Sequence, residues 1–336
     1  MSLTTTLIAA TLLMKPIEIF IQEKFEASKS TSEIMRRAAF DLGGGSIRVL
    51  VADVNVSTQQ VVKKLFNAKI EIPFRKELTD NDQLSAEIEK VALKALSQLK
   101  EAASYYQPQH YSGVATEAFR LAKNGQSFLN RLQENCHITI KLIEQEEEGK
   151  LGFLAGVVNS HASPSETVVI DIGTGSVQIT GLKEDGSYDV FKAKLGRVAI
   201  DEMISKKMRG QDEQPASINP VTEKEVFQTV DLIQTELRNM SEHLQSKLAS
   251  PKTTVIGTFS PVDGEKCWRK DTARDFLKSR FVNLYDHEGK RSRQTSKAIL
   301  IYALVGGLQI DKFTINASDG IEGNAAGLLI TEEFWK

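Results

Sequence analysis

The stretch A-A-F-D-L-G-G-G-S-I-R-V-L-V-A-D, residues 38–53, decides the fold, because it returns as T-V-V-I-D-I-G-T-G-S-V-Q-I-T-G-L at residues 167–182. Each copy has an apolar run, an Asp, an apolar residue, Gly-x-Gly and Ser, and the acids Asp41 and Asp171 stand 130 positions apart. A repeat at that distance signals two related domains rather than a solenoid, whose period is shorter. I-R-V-L-V-A follows Ser46 and V-Q-I-T-G-L follows Ser176. That is period-two alternation, so each turn joins two strands. A dinucleotide-binding or P-loop turn would open a helix instead, and G-x-x-x-x-G-K-[ST] occurs nowhere in the chain.

The residue types state a chemistry. Glycines let successive backbone N–H groups curl around an anion with no Cβ in the way. On this reading Gly43, Gly44, Gly45 and Ser46 form one phosphate cradle, and Gly173, Thr174, Gly175 and Ser176 form the other. An Asp at a strand end holds Mg²⁺ or another divalent cation, usually through water, which makes Asp41 and Asp171 the candidate metal ligands. The plain alternative is two tight structural hairpins.

Composition narrows the field. The chain has 336 residues, 41% hydrophobic and 26% charged, with a net charge of −2. This suits two ordinary globular domains of roughly 150 residues. The balance argues against a general nucleic-acid binder, which is usually basic. Cys136 and Cys267 match no metal spacing and read as reduced, buried thiols of a cytoplasmic protein. The five histidines make no H-E-x-x-H. The apolar run Leu7–Met14 is too short for a membrane span, which needs about 20 residues. No Lys or Arg precedes it, so it reads as an N-terminal helix packed on the body or on a partner subunit, with no membrane association.

With these hairpins in place, residues 38–330 resemble the exopolyphosphatase / guanosine pentaphosphate phosphohydrolase family of the actin-like phosphotransferase superfold. A-T-E-A-F-R-L-A-K-N, beginning at Ala115, is similar to the family's A-T-x-A-x-R-x-A-x-N, with Arg120 and Asn124 in the matching places. I-K-L-I-E-Q-E-E-E-G, beginning at Ile140, resembles I-x-x-I-x-G-x-E-E-A, which enters a helix at the domain junction. K-L-G-R-V-A-I, residues 194–200, resembles the family's L-x-L-G-x-V-R. The resemblance implies α/β architecture: two actin-like (ribonuclease H-like) domains with mixed sheets, flanking helices and a cleft between them. It places domain I at 38–150 plus 320–336, domain II at 151–319, and an N-terminal extension at 1–37. It makes Glu148, beside Glu147, the base that activates water, and Arg120 a phosphate contact. Both roles agree with residue chemistry. The alternatives are a solvated acidic helix start at Glu144–Glu148 and a surface ion pair at Arg120.

The implied activity is Mg²⁺-dependent hydrolysis of the terminal phosphoanhydride of polyphosphate or of a phosphorylated guanosine nucleotide. A homodimer is implied at family level. Four departures keep rivals alive. Gln178 stands where the family carries a metal-site Glu; Gly44-Gly45 replaces Ser-Asn; G-T-F-S-P (257–261) replaces G-A-S-G-T; and S-D-G-I-E-G-N (318–324) lacks the family's Arg-Glu pair. One rival is a phosphate or guanosine-tetraphosphate binding regulator without turnover. The other is an actin-fold small-molecule kinase, disfavoured by the altered 257–261 loop. The chain ends at Lys336, before the extra helical domains of the family's long enzymes, which favours short chains or nucleotides. The basic run Lys290, Arg291, Arg293, Lys297 reads either as a polyanion path or as a solvated helix start. Helices are expected over 80–104, 126–134, 146–158, 221–248, 294–309 and 322–331, with a loop at 209–220.

Overall fold

A computed structural model describes residues 33–78, 81–160, 162–211, 217–259, 261–262, 264–282, 290–315 and 323–335. The N-terminal run at 7–14, residues 212–216 of the 209–220 loop and residues 318–322 lie outside the described residues, as do the side chains of Lys290, Arg291 and Arg293.

The first half runs β1 (Ile34–Gly43), β2 (Ser46–Asn55), β3 (Gln60–Glu71), α1 (Ala86–Ser104), β4 (His110–Ala115), α2 (Glu117–Leu121), α3 (Gly125–Cys136) and β5 (Thr139–Leu142). Helix α4 (Gln145–Ser160) leads into the second half, β6 (Thr167–Ile172), β7 (Val177–Leu182), β8 (Tyr188–Ala193), α5 (Arg197–Glu202), α6 (Glu223–Leu237), α7 (Glu242–Ala249), β9 (Thr254–Gly257), β10 (Cys267–Trp268), α8 (Lys270–Val282), α9 (Lys290–Gly307) and β11 (Phe313–Ile315). A short α10 (Ala325–Leu329) closes the chain.

The two sheets repeat one plan. The first has order β3-β2-β1-β4-β5 and the second β8-β7-β6-β9-β11-β10. In each, the glycine hairpin forms the antiparallel centre, the next strand extends it antiparallel, and strands after a helical crossover add in parallel. This is the actin-like arrangement, and it puts the two hairpin turns at corresponding strand ends of the two sheets. Apolar alternation drives it. Phe40 and Leu42 of β1 and Ile47, Val49 and Val51 of β2 join Leu96 and Leu99 of α1 in one core, while Ala39 and Leu50 on the opposite face pack with Leu328 and Leu329 of α10.

Strand β1 begins at Ile34, so residues 34–37, assigned above to the extension, belong to the first sheet. Their charges concealed the strand. Arg36 pairs with Asp53 across the ladder, and Arg37, 1% exposed, is held by Glu332 and the Leu329 carbonyl beneath the Trp335 ring. The single helix expected over 221–248 is two. Ser241 caps α7, its Oγ accepting from Leu244 N–H at 3.2 Å, and its other hydrogen bond goes to Asp189.

Helix α4 connects the two halves at the site. Its Leu151 and Ala155 face α10 and the first sheet, and its other face lies on β6–β8. Glycines 149, 152 and 156 line that second face. A Cβ at Gly149 would stand 2.5 Å from Val190, and one at Gly156 2.6 Å from Val169. The helix is therefore wedged between the halves, and the residue one turn before Gly152, Glu148, projects into the gap between the hairpins.

Candidate active site

Each hairpin is held from behind by its own half. In the first, Gly43 pairs with Ser46, and the Gly44 and Gly45 carbonyls accept from Arg75 N–H (2.9 Å) and Ile72 N–H (3.1 Å). In the second, Gly173 N–H donates to the Ser176 carbonyl at 2.9 Å and Val198 N–H donates to the Thr174 carbonyl at 2.7 Å. Gly196 is pressed so closely on Gly175 that a Cβ there would overlap backbone at 2.3 Å, which accounts for the glycine in L-G-R-V. Carbonyls are used for support, while Gly44, Gly45, Thr174 and Gly175 sit outside the ladders.

Between the hairpins lies a cleft of about 550 Å³. Asp41, Glu148 and Asp171 line it together with Gly43 to Ser46, Gly173, Thr174 and Ser176. Gly175 faces an adjoining cavity, which Arg120 also lines. All twelve residues picked from the sequence thus gather at one place, contributed by both halves and by α4.

Asp41 and Glu148 are buried, Asp171 is half-buried, and the three differ in their partners. Asp41 Oδ2 accepts from Arg48 Nη1 and from the Asn324 backbone N–H, both at 3.2 Å, while Oδ1 is buried with no hydrogen-bond partner. Burial pushes its carboxyl up, and Arg48 pulls it back. Asp171 Oδ1 accepts from Thr258 Oγ1 at 2.9 Å. Burial pushes its carboxyl up to about 6, with Asp41 adding to the rise. Glu148 Oε2 accepts from Arg120 Nη2 at 2.7 Å, and Arg120 Nη1 donates to the Ile143 carbonyl at 2.6 Å. Burial pushes Glu148 up to about 7 against the pull of Arg120, with Asp171 and Asp41 pushing further. A carboxyl near neutrality, fixed by a guanidinium, is what proton abstraction at ordinary pH asks for.

The guanidinium of Arg120 is thus engaged by Glu148 and a carbonyl. Asn124 has a structural place: its amide makes paired hydrogen bonds of 2.8 and 2.9 Å with the Leu84 backbone. Gln178, 1% exposed, stands opposite Asp171 in the hairpin. Its Nε2 donates to Ser176 Oγ at 3.0 Å, and its Oε1 is buried without a partner. The 257–261 loop reaches the cleft through Thr258, Phe259 and Pro261, and Lys297 of the basic run lines it too.

Sequence reading passed over Arg48, Arg75, Glu117 and Thr258, all of which line the cleft or the adjoining cavity. Arg48 was legible in principle, because a two-residue turn at Gly44-Gly45 places it directly opposite Asp41. Glu117 and Thr258 lie inside the motifs at 115–124 and 257–261 but at positions those motifs do not single out, and Arg75 comes from a segment with no local signal.

Among the described residues no three His, Cys, Asp or Glu side chains are grouped closely enough to hold a metal by themselves. The donor set still suits a hard cation: Asp41 offers an unpartnered buried oxygen and Asp171 a second carboxylate, both in the cleft. Mg²⁺ ordinarily takes one or two carboxylates and completes its shell with water and phosphate.

Comparison with known proteins gives the family and the fold. Residues 49–265 match the model of the Ppx/GppA phosphatase family. A guanosine-5'-triphosphate,3'-diphosphate pyrophosphatase from Pseudoalteromonas atlantica is 30% identical over 165 residues, 49% of this chain and 32% of that relative. The match therefore spans about a third of the relative's length. Among solved structures, the Aquifex aeolicus PPX-GPPA enzyme superposes with a TM-score of 0.68 at 20% identity, covering 89% of this chain and 99% of that one. An exopolyphosphatase from Cytophaga hutchinsonii gives 0.63 at 17% identity, covering 88% and 97%. The likeness to these structures is one of fold, and the family match, covering well over half of the residues, establishes that the chain belongs to the Ppx/GppA phosphatase family.

Proposed function

We propose that this chain hydrolyses the terminal phosphoanhydride bond of inorganic polyphosphate or of guanosine pentaphosphate, with Glu148 as general base. The carrying observation is Glu148 itself: a buried carboxylate, oriented by Arg120 at 2.7 Å, in the same cleft as both glycine hairpins. The hairpin N–H groups and the Ser46 and Ser176 hydroxyls bind the phosphoryl oxygens. Glu148 orients a water and takes its proton as the oxygen attacks in line. Arg120 keeps the carboxylate aimed, and its charge favours the ionised form. Asp41 and Asp171 would hold Mg²⁺, which supplies charge neutralisation on the phosphates.

Glu148→Gln keeps the Arg120 contact and removes the base. Phosphate release from polyphosphate and from guanosine pentaphosphate, assayed side by side, is expected to fall by about 10²–10⁴ with ligand binding retained. Undiminished release would remove Glu148 from this role.

A second reading rests on Gln178. It replaces a carboxylate beside Asp171 with a neutral amide. That favours a binding regulator that holds the phosphorylated nucleotide without turning it over. Tight calorimetric binding with no phosphate release in Mg²⁺ would select it.

A further inference from the structure

Glu117 has no part in the chemistry above, yet it stands where the two hairpins meet. It opens α2 at an unspecified position of the A-T-x-A-x-R motif. A Cβ placed on Gly44 would lie 3.2 Å from its Oε2, and one on Gly175 would overlap its Oε1 at 2.0 Å. Its Oε1 is 3.2 Å from Arg75 Nε, and Arg75 Nη2 is 3.6 Å from Glu202 of the second half. Its Oε2 is buried with no hydrogen-bond partner. Burial pushes its carboxyl up, and Arg75 and Arg120 pull it down. Beyond this residue lies the adjoining cavity of about 260 Å³, where Arg120, Lys194 and Lys207 continue the positive lining; Glu117 borders both cavities.

We propose that Glu117 is a specificity-determining residue: wedged between the two glycine hairpins, its carboxylate is the end wall of the phosphate cradle and admits only the free end of a phosphate chain. This rests on the hydrolase reading and deepens it. A terminal phosphoryl group needs nothing beyond the hairpins. An internal one must place its next, negatively charged neighbour on the carboxylate. Like charge and filled space both oppose that, although the cations farther on would attract it. Arg75, 3.2 Å from the carboxylate and 3.6 Å from Glu202, holds it in this position by ion pairing.

The test is calorimetric binding in the Glu148→Gln chain. The two ligands are inorganic tripolyphosphate and a polyphosphate of equal charge whose ends are capped as phosphoramidates. The free-ended ligand is expected to bind at least about tenfold tighter, since like charges brought together are strongly disfavoured. Glu117→Ala in the same background is expected to bring the two affinities within about threefold by opening the wall. An unchanged ratio in that variant overturns the proposal. Glu117→Gln keeps the shape and removes the charge, so it decides the matter if the Ala variant does not fold. Its affinity for tripolyphosphate is expected to rise severalfold, and no rise overturns the proposal. Absence of tripolyphosphate binding in the parent chain itself would overturn the hydrolase reading, and this inference with it, before Glu117 is touched.

Discussion

The two hairpins share a backbone plan and differ in what faces their acids. Register puts Arg48 opposite Asp41 and Gln178 opposite Asp171, the same cross-strand position in each half. The first acid is therefore paired with a guanidinium and a backbone N–H, and the second stands opposite a neutral amide in register and accepts from the Thr258 hydroxyl. The cradles are alike, while the cross-strand residue is a cation in the first half and a neutral amide in the second. Burial raises all three carboxyls, Asp171 to about 6 and Glu148, between the halves, to about 7.

Making the first hairpin like the second has the largest expected effect. Arg48→Gln leaves Asp41 buried without its ionic partner and is expected to cost about 3 kcal/mol at pH 8, since removing one member of a buried pair strands the other. The sign with pH follows from linkage. Without Arg48 the folded-state carboxyl of Asp41 rises further above its unfolded value, so stability is retained at low pH and lost as pH climbs through the folded value. Urea unfolding at pH 5 and pH 8 checks this; equal losses at both would show that Arg48 acts through packing. Asp41→Asn in the same background is expected to recover most of the loss at pH 8.

Gln178→Glu sharpens the comparison from the other side. A third carboxylate beside Asp171 and Glu148 is expected to destabilise the metal-free chain by about 1–2 kcal/mol at pH 8, through like-charge repulsion in a buried site. Added Mg²⁺ is expected to reverse this and to raise the thermal midpoint more than in the parent chain. A Mg²⁺ response no larger than the parent's would count against Asp171 and position 178 facing a common cation. The smallest effect is Thr258→Val, which removes the hydroxyl donor to Asp171. About 1 kcal/mol of stability is expected to go above pH 7, with little change at pH 4, where the raised carboxyl of Asp171 is already protonated in the folded chain. A loss independent of pH would assign Thr258 to packing alone.

The sequence carried more of the site than of the fold's boundaries. Both hairpins and their acids were legible because glycine spacing and alternation are local signals, whereas Glu148 was implied by the family resemblance. Strand β1 was read four residues short because Arg36 and Arg37 look like solvent-facing charges. Only their cross-chain partners Asp53 and Glu332 show how they enter a sheet. Asn124 matched a family motif that suggested function, yet its amide serves the Leu84 backbone.

What the amino-acid order determined by itself is the duplicated strand–glycine turn–strand unit and hence two related halves. Backbone freedom at glycine and the two-residue period of a strand are properties of neighbouring residues. Tertiary structure alone decided the charge state and reach of the site. Arg120 meets Glu148 across 28 positions, Thr258 meets Asp171 across 87, and Asn324 meets Asp41 across 283. Glu117 becomes an end wall only because two hairpins from different halves close on it. Burial and electrostatic coupling depend on distance in space, and no spacing along the chain encodes them.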